Sequence, residues 1–128
     1  MLKSTRLPAA IDPDWRGGGT RELTRCVRRS YRLQLMRAGQ PCLLWVSGRS
    51  DPGVHALGEL TAEPEERADG PVVGVRLTRL PSPVLRADLL GDPAAATAEV
   101  LRMPAGSNPS WLSRAEFAAV LARVPEGR

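Results

Sequence analysis

Residues 42–61 read CLLWVSGRSDPGVHALGELT, and this stretch decides the fold class. Its first seven residues are a short apolar run bounded by proline and glycine, which predicts a strand buried on both faces. Asp51-Pro52-Gly53 predicts a turn, because proline fixes φ and glycine tolerates positive φ. The run Val54–Thr61 predicts a second strand. Together the two strands and the turn predict a β-hairpin.

The segments before this hairpin are rich in breaker residues. Residues 1–4 can form a short strand, and Pro8–Thr20 is predicted to be a loop because glycine and proline are dense there. A strand is predicted from Arg21 to about Val27. One helical turn is predicted at Leu33–Met36.

The segments after the hairpin change from strand to helix. Ala62–Gly70 is acidic and is predicted to be a solvated loop, whereas Val72–Arg79 alternates and is predicted to be a half-exposed strand. Asp92-Pro93 predicts the start of a helix over Ala94–Leu101. Ser113 and Glu116 have the spacing of a capping box, which predicts a second helix. The order predicts an α+β fold with a small mixed or antiparallel sheet that can close into a barrel.

Length and composition are those of one globular domain. The chain has 128 residues, of which 42% are hydrophobic and 25% charged. No window approaches the ~18 apolar residues of a membrane span, and the first residues lack the apolar core of a signal peptide. Cys26 and Cys42 are therefore expected to be free thiols, and the protein is expected to be cytoplasmic.

Positive charge is concentrated in the first part of the chain. The net charge is +4, but residues 1–50 carry ten Lys and Arg against three Asp and Glu. Residues 51–128 carry eight against eleven. GC-rich coding can also explain an excess of arginine, but it does not explain the location. The asymmetry indicates an anionic partner.

Enzyme chemistry finds little support in the sequence. His55 is the one histidine, and spacing alone cannot assemble it with Ser47 or Asp51 into a catalytic triad. The two cysteines lack the paired spacing of a zinc site. We therefore expect a protein that is not an enzyme, with no catalytic residue, metal or cofactor.

Three parts of the chain carry a family resemblance. They are Leu2–Ser4, the segments of Val27–Gly48 with Gly53–Leu60, and a C-terminal series that includes Leu80–Arg86 and Ser107–Pro109. Their order and spacing resemble the EVE domain, a branch of the PUA-like superfamily that also holds the YTH and ASCH domains. The resemblance implies one PUA-like domain over residues 1–128, a small twisted mixed β-barrel flanked by short helices.

The resemblance also implies a function. Relatives bind nucleic acid, DNA or RNA, and several read a modified base held in a pocket beside the barrel. We therefore expect a non-enzymatic nucleic-acid-binding module that does not bind membranes. Its candidate contacts comprise cations for phosphate (Lys3, Arg28, Arg29, Arg32), hydrogen-bonding groups at the pocket (Ser4, Ser30, Ser47, Asn108) and a stacking wall (Trp45). Trp45 can instead be a core aromatic, and Arg28 and Arg29 a solvated surface run.

The chain departs from the family pattern where aromatic side chains are expected. Thr24 and Arg25 stand where many relatives have tryptophan, and the aromatic expected near Ala9 is missing, although Trp15 could replace it. Aromatic residues are only 4% of the chain. These departures favour the alternative function, a protein-interaction or small-ligand-binding domain with a degenerate base pocket.

Overall fold

The predicted hairpin lies at the centre of the sheet. The structure is a computed structural model and describes residues 1–4, 6–48, 51–102 and 112–124. Its strands are β1 (Leu2–Ser4), β2 (Thr20–Cys26), β3 (Pro41–Val46), β4 (Gly53–Leu60), β5 (Glu65–Arg67) and β6 (Gly70–Leu85). Its helices are α1 (Pro8–Ile11), a 3-10 helix (Tyr31–Leu35), α2 (Arg86–Leu90), α3 (Glu99–Arg102) and α4 (Arg114–Ala122).

The sheet is a strongly curled half-barrel of mixed strands. The strand order is β1-β3-β4-β6-β2, with β5 paired to β6. β1 pairs with β3 in parallel, and every other pair is antiparallel. The predicted α+β class is thereby confirmed. β1 and β2 stand at opposite ends of the strand order, so the half-barrel is open between them.

Strand β3 is buried on both faces, as its apolar run predicts. Leu44 and Val46 contribute to one apolar cluster, the strand core, and Leu43 and Trp45 contribute to another, the helix core. The strand core also contains further residues of β1, β3, β4 and β6 and three side chains from loops (Leu2, Trp15, Val27, Met36, Cys42, Ala56, Leu60, Val73, Val75, Leu77). The helix core joins the sheet to the helices (Val54, Leu80, Val84, Leu89, Ala95, Ala98, Val100, Leu101, Ala119, Val120, Val124).

Strand β6 is twice the length that the alternating pattern predicts. Its pairing with β4 shifts register between Val54 and Ala56, so that Val54 lies opposite Val84 and Ala56 opposite Arg79. Pro81 and Pro83 lie in the skipped part of β6, where a missing N–H breaks no ladder bond. His55 occupies the bulge in β4. Its side chain is buried, and its Nε2 atom lies 2.7 Å from the Asp51 carbonyl oxygen.

Several short elements differ from the sequence predictions. The Pro8–Thr20 loop contains α1, which starts at a proline suited to a first helical turn, and the Ala62–Gly70 loop contains β5. The helix predicted from Ala94 begins at Glu99. The Asp92 carboxylate does accept from the Ala94 N–H, as an N-cap would, and the Ala96 N–H donates to the Asp92 carbonyl oxygen, but the segment stays a turn as far as Ala98. The capping box of Ser113 and Glu116 is confirmed. None of the described helices has the length and apolar character needed to cross a membrane.

Candidate functional site

A cleft of about 490 Å³ lies at the open side of the half-barrel. β1 and the turn after β3 form one wall, and β2 forms the other. The described residues that line it are Lys3, Ser4, Arg6, Thr24, Arg25, Cys26 and Ser47. The cleft exists because β1 and β2 do not pair with each other. It brings together three of the predicted site residues, namely Lys3, Ser4 and Ser47.

The lining of this cleft is basic. Lys3, Arg6 and Arg25 contribute cations, and no described lining residue is a carboxylate. Ser4, Thr24 and Ser47 add hydroxyl groups. Cations in a concave site attract an anion more strongly than the same charges on an open surface, because the low-dielectric walls focus the field.

The Ser4 hydroxyl holds the backbone of Arg6, one of the cations that line the cleft. It donates to the Arg6 carbonyl oxygen at 2.9 Å and accepts from the Arg6 N–H at 3.0 Å. Ser47 in turn donates its backbone N–H to the Ser4 carbonyl oxygen at 2.9 Å. The Arg6 guanidinium also donates to the Ala10 carbonyl oxygen. The Ser4 hydroxyl therefore fixes the bend at which Arg6 leaves β1.

Lys3 connects the cleft to the other predicted cations. Burial lowers the pKa of Lys3, and the positive charges of Arg32 and Arg28 lower it further, whereas Glu99 opposes them. Charges that influence one another in this way lie within electrostatic reach. Lys3 therefore lies near Arg28 and near the Arg32–Glu99 pair, although none of these three residues lines the cleft.

Arg32 and Ser30 have clear structural partners. The Arg32 guanidinium binds both carboxylate oxygens of Glu99, at 2.9 and 3.0 Å, and these bonds raise the pKa of Arg32. Ser30 caps the 3-10 helix, because its hydroxyl accepts from the Arg32 N–H at 3.3 Å. The 3-10 helix is thereby joined to α3.

Arg28 and Arg29 are exposed and lie outside the lining of the cleft. Arg29 forms an exposed bidentate pair with Glu66 on β5. An exposed pair of this kind contributes roughly 0–1 kcal/mol to stability, so it can exchange Glu66 for another anion at little cost.

Trp45, the predicted stacking wall, is buried and does not line the cleft. Its side chain is 2% exposed within the helix core, and a ring enclosed by protein on both faces cannot stack on a base. Trp15 is also fully buried, and its Nε1 donates to the Gly19 carbonyl oxygen at 2.7 Å. It therefore does not replace a missing cage residue. Asn108 lies outside the described residues.

Four residues of the cleft were missed from the sequence, namely Arg6, Thr24, Arg25 and Cys26. Arg6 follows β1 by only two residues and could have been included on that ground. The other three lie on β2, which reaches the cleft beside β1 because the sheet curls into a half-barrel. The available signal for Thr24 and Arg25 was the resemblance to the EVE domain, in which many relatives have tryptophan at this place.

The two thiols provide a direct test of this geometry. Cys26 is exposed at the cleft, whereas Cys42 is buried and burial raises the pKa of its thiol. Thiolates are the reactive form, so iodoacetamide should modify Cys26 in the folded protein and Cys42 only after unfolding. Mass spectrometry should show one adduct under native conditions and none with Cys26→Ser. Two native adducts of equal rate would contradict the burial of Cys42.

Two solved structures have a similar fold. A hypothetical protein from Leishmania major superposes with a TM-score of 0.73 at 16% identity, over 94% of this chain and 90% of that chain. A protein from Pseudomonas putida, a target of the Northeast Structural Genomics Consortium, superposes with a TM-score of 0.65 at 16% identity, over 95% of this chain and 96% of that chain. No family model and no curated protein matches the chain. At this identity the likeness shows the fold alone.

Proposed function

We propose that this protein is a non-enzymatic nucleic-acid-binding module of the EVE type, with a PUA-like fold, and that it holds its ligand in the cleft between β1 and β2. One observation carries the proposal. Lys3, Ser4 and Ser47, which the family resemblance marks, line one cleft together with Arg6 and Arg25. The resemblance and the described geometry therefore point to the same place.

The chemistry of the cleft suits a nucleotide. Three cations can neutralise phosphate, and hydroxyl groups can exchange hydrogen bonds with a sugar or a base edge. The volume of about 490 Å³ lies within the range of small-ligand pockets. Recognition of a modified base is part of the proposal, and in this cleft it would depend on hydrogen bonding, because none of the described lining residues is aromatic.

The proposal is tested by binding to short labelled oligonucleotides at two salt concentrations. The panel holds plain and modified cytosine and adenine in single-stranded DNA and RNA. Lys3→Ala and Arg25→Ala should each weaken binding about tenfold, because a charge-assisted hydrogen bond contributes roughly 1.5–3 kcal/mol. Each should also lower the slope of log K against log salt by about one.

Arg123→Ala is the matched control. It removes one exposed arginine whose partner is Asp92, away from the cleft, so binding should change less than about twofold. The Arg28→Ala, Arg29→Ala double variant tests the basic surface beside the cleft and not the cleft itself, since neither residue lines it. Bound oligonucleotide should also slow the modification of Cys26. Equal losses in Arg25→Ala and Arg123→Ala would argue against the cleft as the site.

The second candidate is a protein-interaction or small-ligand-binding domain with a degenerate base pocket. The observation that favours it is the burial of Trp45 together with the lack of an aromatic side chain among the described residues of the cleft. Absence of binding to every oligonucleotide at low salt, with an intact far-ultraviolet circular dichroism spectrum, would select this function over the first.

A further inference from the structure

Tyr31 is an exposed aromatic side chain flanked in sequence by Arg28, Arg29 and Arg32. It is 67% exposed, the largest value among the large hydrophobic residues that the structure describes. It starts the 3-10 helix and directly follows Arg28, Arg29 and Ser30. Both described tryptophans are buried, so Tyr31 is the described aromatic that a ligand can reach most readily.

The ring of Tyr31 is held beside a fixed cation. The Arg32 guanidinium carbon lies 5.9 Å from the centre of the ring, within cation–π range. Arg32 is itself held by its two bonds to Glu99, and both side chains are mostly buried, at 15% and 20% exposed. A flat side chain whose neighbour is already fixed loses little conformational freedom when it binds a ligand.

The chain that carries this ring leads directly away from the cleft, because Cys26 at the end of β2 lines the cleft and Tyr31 follows it by five residues. Lys3 lines the cleft and lies within electrostatic reach of both Arg32 and Arg28. A single strand whose nucleotide enters the cleft therefore runs next to a basic surface. Proteins that bind single strands combine such a surface with aromatic rings on which bases stack.

We propose that Tyr31, backed by the Arg32 guanidinium, is a stacking platform for an unpaired base that flanks the nucleotide held in the cleft. This inference rests on the proposed function and adds the ligand class, a single strand of at least two nucleotides. Duplex is disfavoured, because its bases stack on one another. Stacking on tyrosine is tolerant of base identity, so the platform contributes affinity and does not select a sequence.

A fluorine label makes the platform directly observable. Tyr31 is the one tyrosine of the chain, so incorporation of 3-fluorotyrosine gives a single ¹⁹F resonance. Titration with single-stranded oligonucleotide should shift that resonance, because a stacked base changes the ring-current field at the fluorine. The same sequence as a blunt duplex should leave the resonance in place. A resonance that does not move when the single strand is bound would overturn the platform.

Three variants test whether the aromatic ring of Tyr31 itself contributes to binding. Tyr31→Ala should weaken single-strand binding about tenfold, whereas Tyr31→Phe, which keeps the ring, should stay within about twofold. Leu35→Ala is the control, because Leu35 is also exposed on the 3-10 helix but is not aromatic. If Tyr31→Ala and Leu35→Ala both retain full affinity for the single strand, Tyr31 does not contribute to binding and the stacking platform is rejected.

The outcomes distinguish this inference from the proposed function. Loss of affinity in Arg25→Ala together with full affinity in Tyr31→Ala would reject the platform and leave the cleft as the binding site. Loss of affinity in both Arg25→Ala and Tyr31→Ala, together with a shifted ¹⁹F resonance, supports both the cleft as the binding site and Tyr31 as the stacking platform. Absence of binding by the unsubstituted protein at low salt would reject both at once.

Discussion

Replacing Trp45 with alanine is expected to lower the free energy of unfolding by about 3–5 kcal/mol. The side chain is 2% exposed and packs in the helix core, so its removal leaves a cavity that the surrounding strands and helices cannot fill. The native free energy of unfolding of a protein this size is only ~5–15 kcal/mol. Urea denaturation followed by circular dichroism measures the loss.

Tyr31→Ala is the matched control for this experiment. It removes an aromatic ring that is exposed, and surface substitutions of this kind usually change stability by less than about 0.5 kcal/mol. The pair therefore predicts opposite effects, stability lost at Trp45 and affinity lost at Tyr31. A Trp45→Ala protein of unchanged stability and reduced oligonucleotide affinity would restore Trp45 as a ligand contact.

Replacing Gly58 with alanine is expected to cost about 3 kcal/mol, at the upper end of overpacking effects. A Cβ atom at this position of β4 would lie 1.8 Å from the Arg76 carbonyl oxygen of β6. That atom belongs to the backbone, so it can move only if the β4–β6 pairing moves with it. Urea and thermal unfolding midpoints would both fall.

Gly74→Ala provides the comparison for Gly58. Gly74 also lies in a strand, but its new Cβ would meet the hydroxyl oxygen of Thr61 at 2.6 Å, and this exposed side chain can move that oxygen by changing its χ1 rotamer. Alanine also restricts the unfolded chain more than glycine does. We expect a change within about 1 kcal/mol. A loss of stability in Gly58→Ala as small as that in Gly74→Ala would show that the β4–β6 spacing is more adaptable than the structure indicates.

The elements that the sequence predicts well are those with local signals. The hairpin of β3 and β4 has an apolar run, a proline-glycine turn and a second run, and the capping box of Ser113 specifies the start of α4. By contrast, β5 consists of exposed charged residues whose strand conformation comes from pairing with β6. α1 and α2 span four and five residues, too few for a helical period to register.

The candidate site was predictable only on one of its two walls. Lys3, Ser4 and Ser47 could be marked because a family resemblance covers those positions. Thr24, Arg25 and Cys26 reach the same cleft because the sheet curls and brings its two end strands near each other, which no local pattern encodes. The burial of Trp45 follows from helices that cover the second face of β3, and the apolar run predicts that burial when it is read without regard to the resemblance.

The strand order also sets the order in which the chain can fold. β3 and β4 are adjacent in sequence, but Leu2 of β1 pairs with Leu44, and Thr20 of β2 pairs with Thr78. Both edges of the sheet can therefore pair only after much later parts of the chain are made, whereas the β3–β4 and β5–β6 hairpins pair strands that are adjacent in sequence. Such long-range pairing makes the contact order high, and folding times of milliseconds to seconds are typical of that topology. Until β3 and β6 emerge from the ribosome, both walls of the future cleft are unpaired strand edges, the kind of surface that chaperones protect.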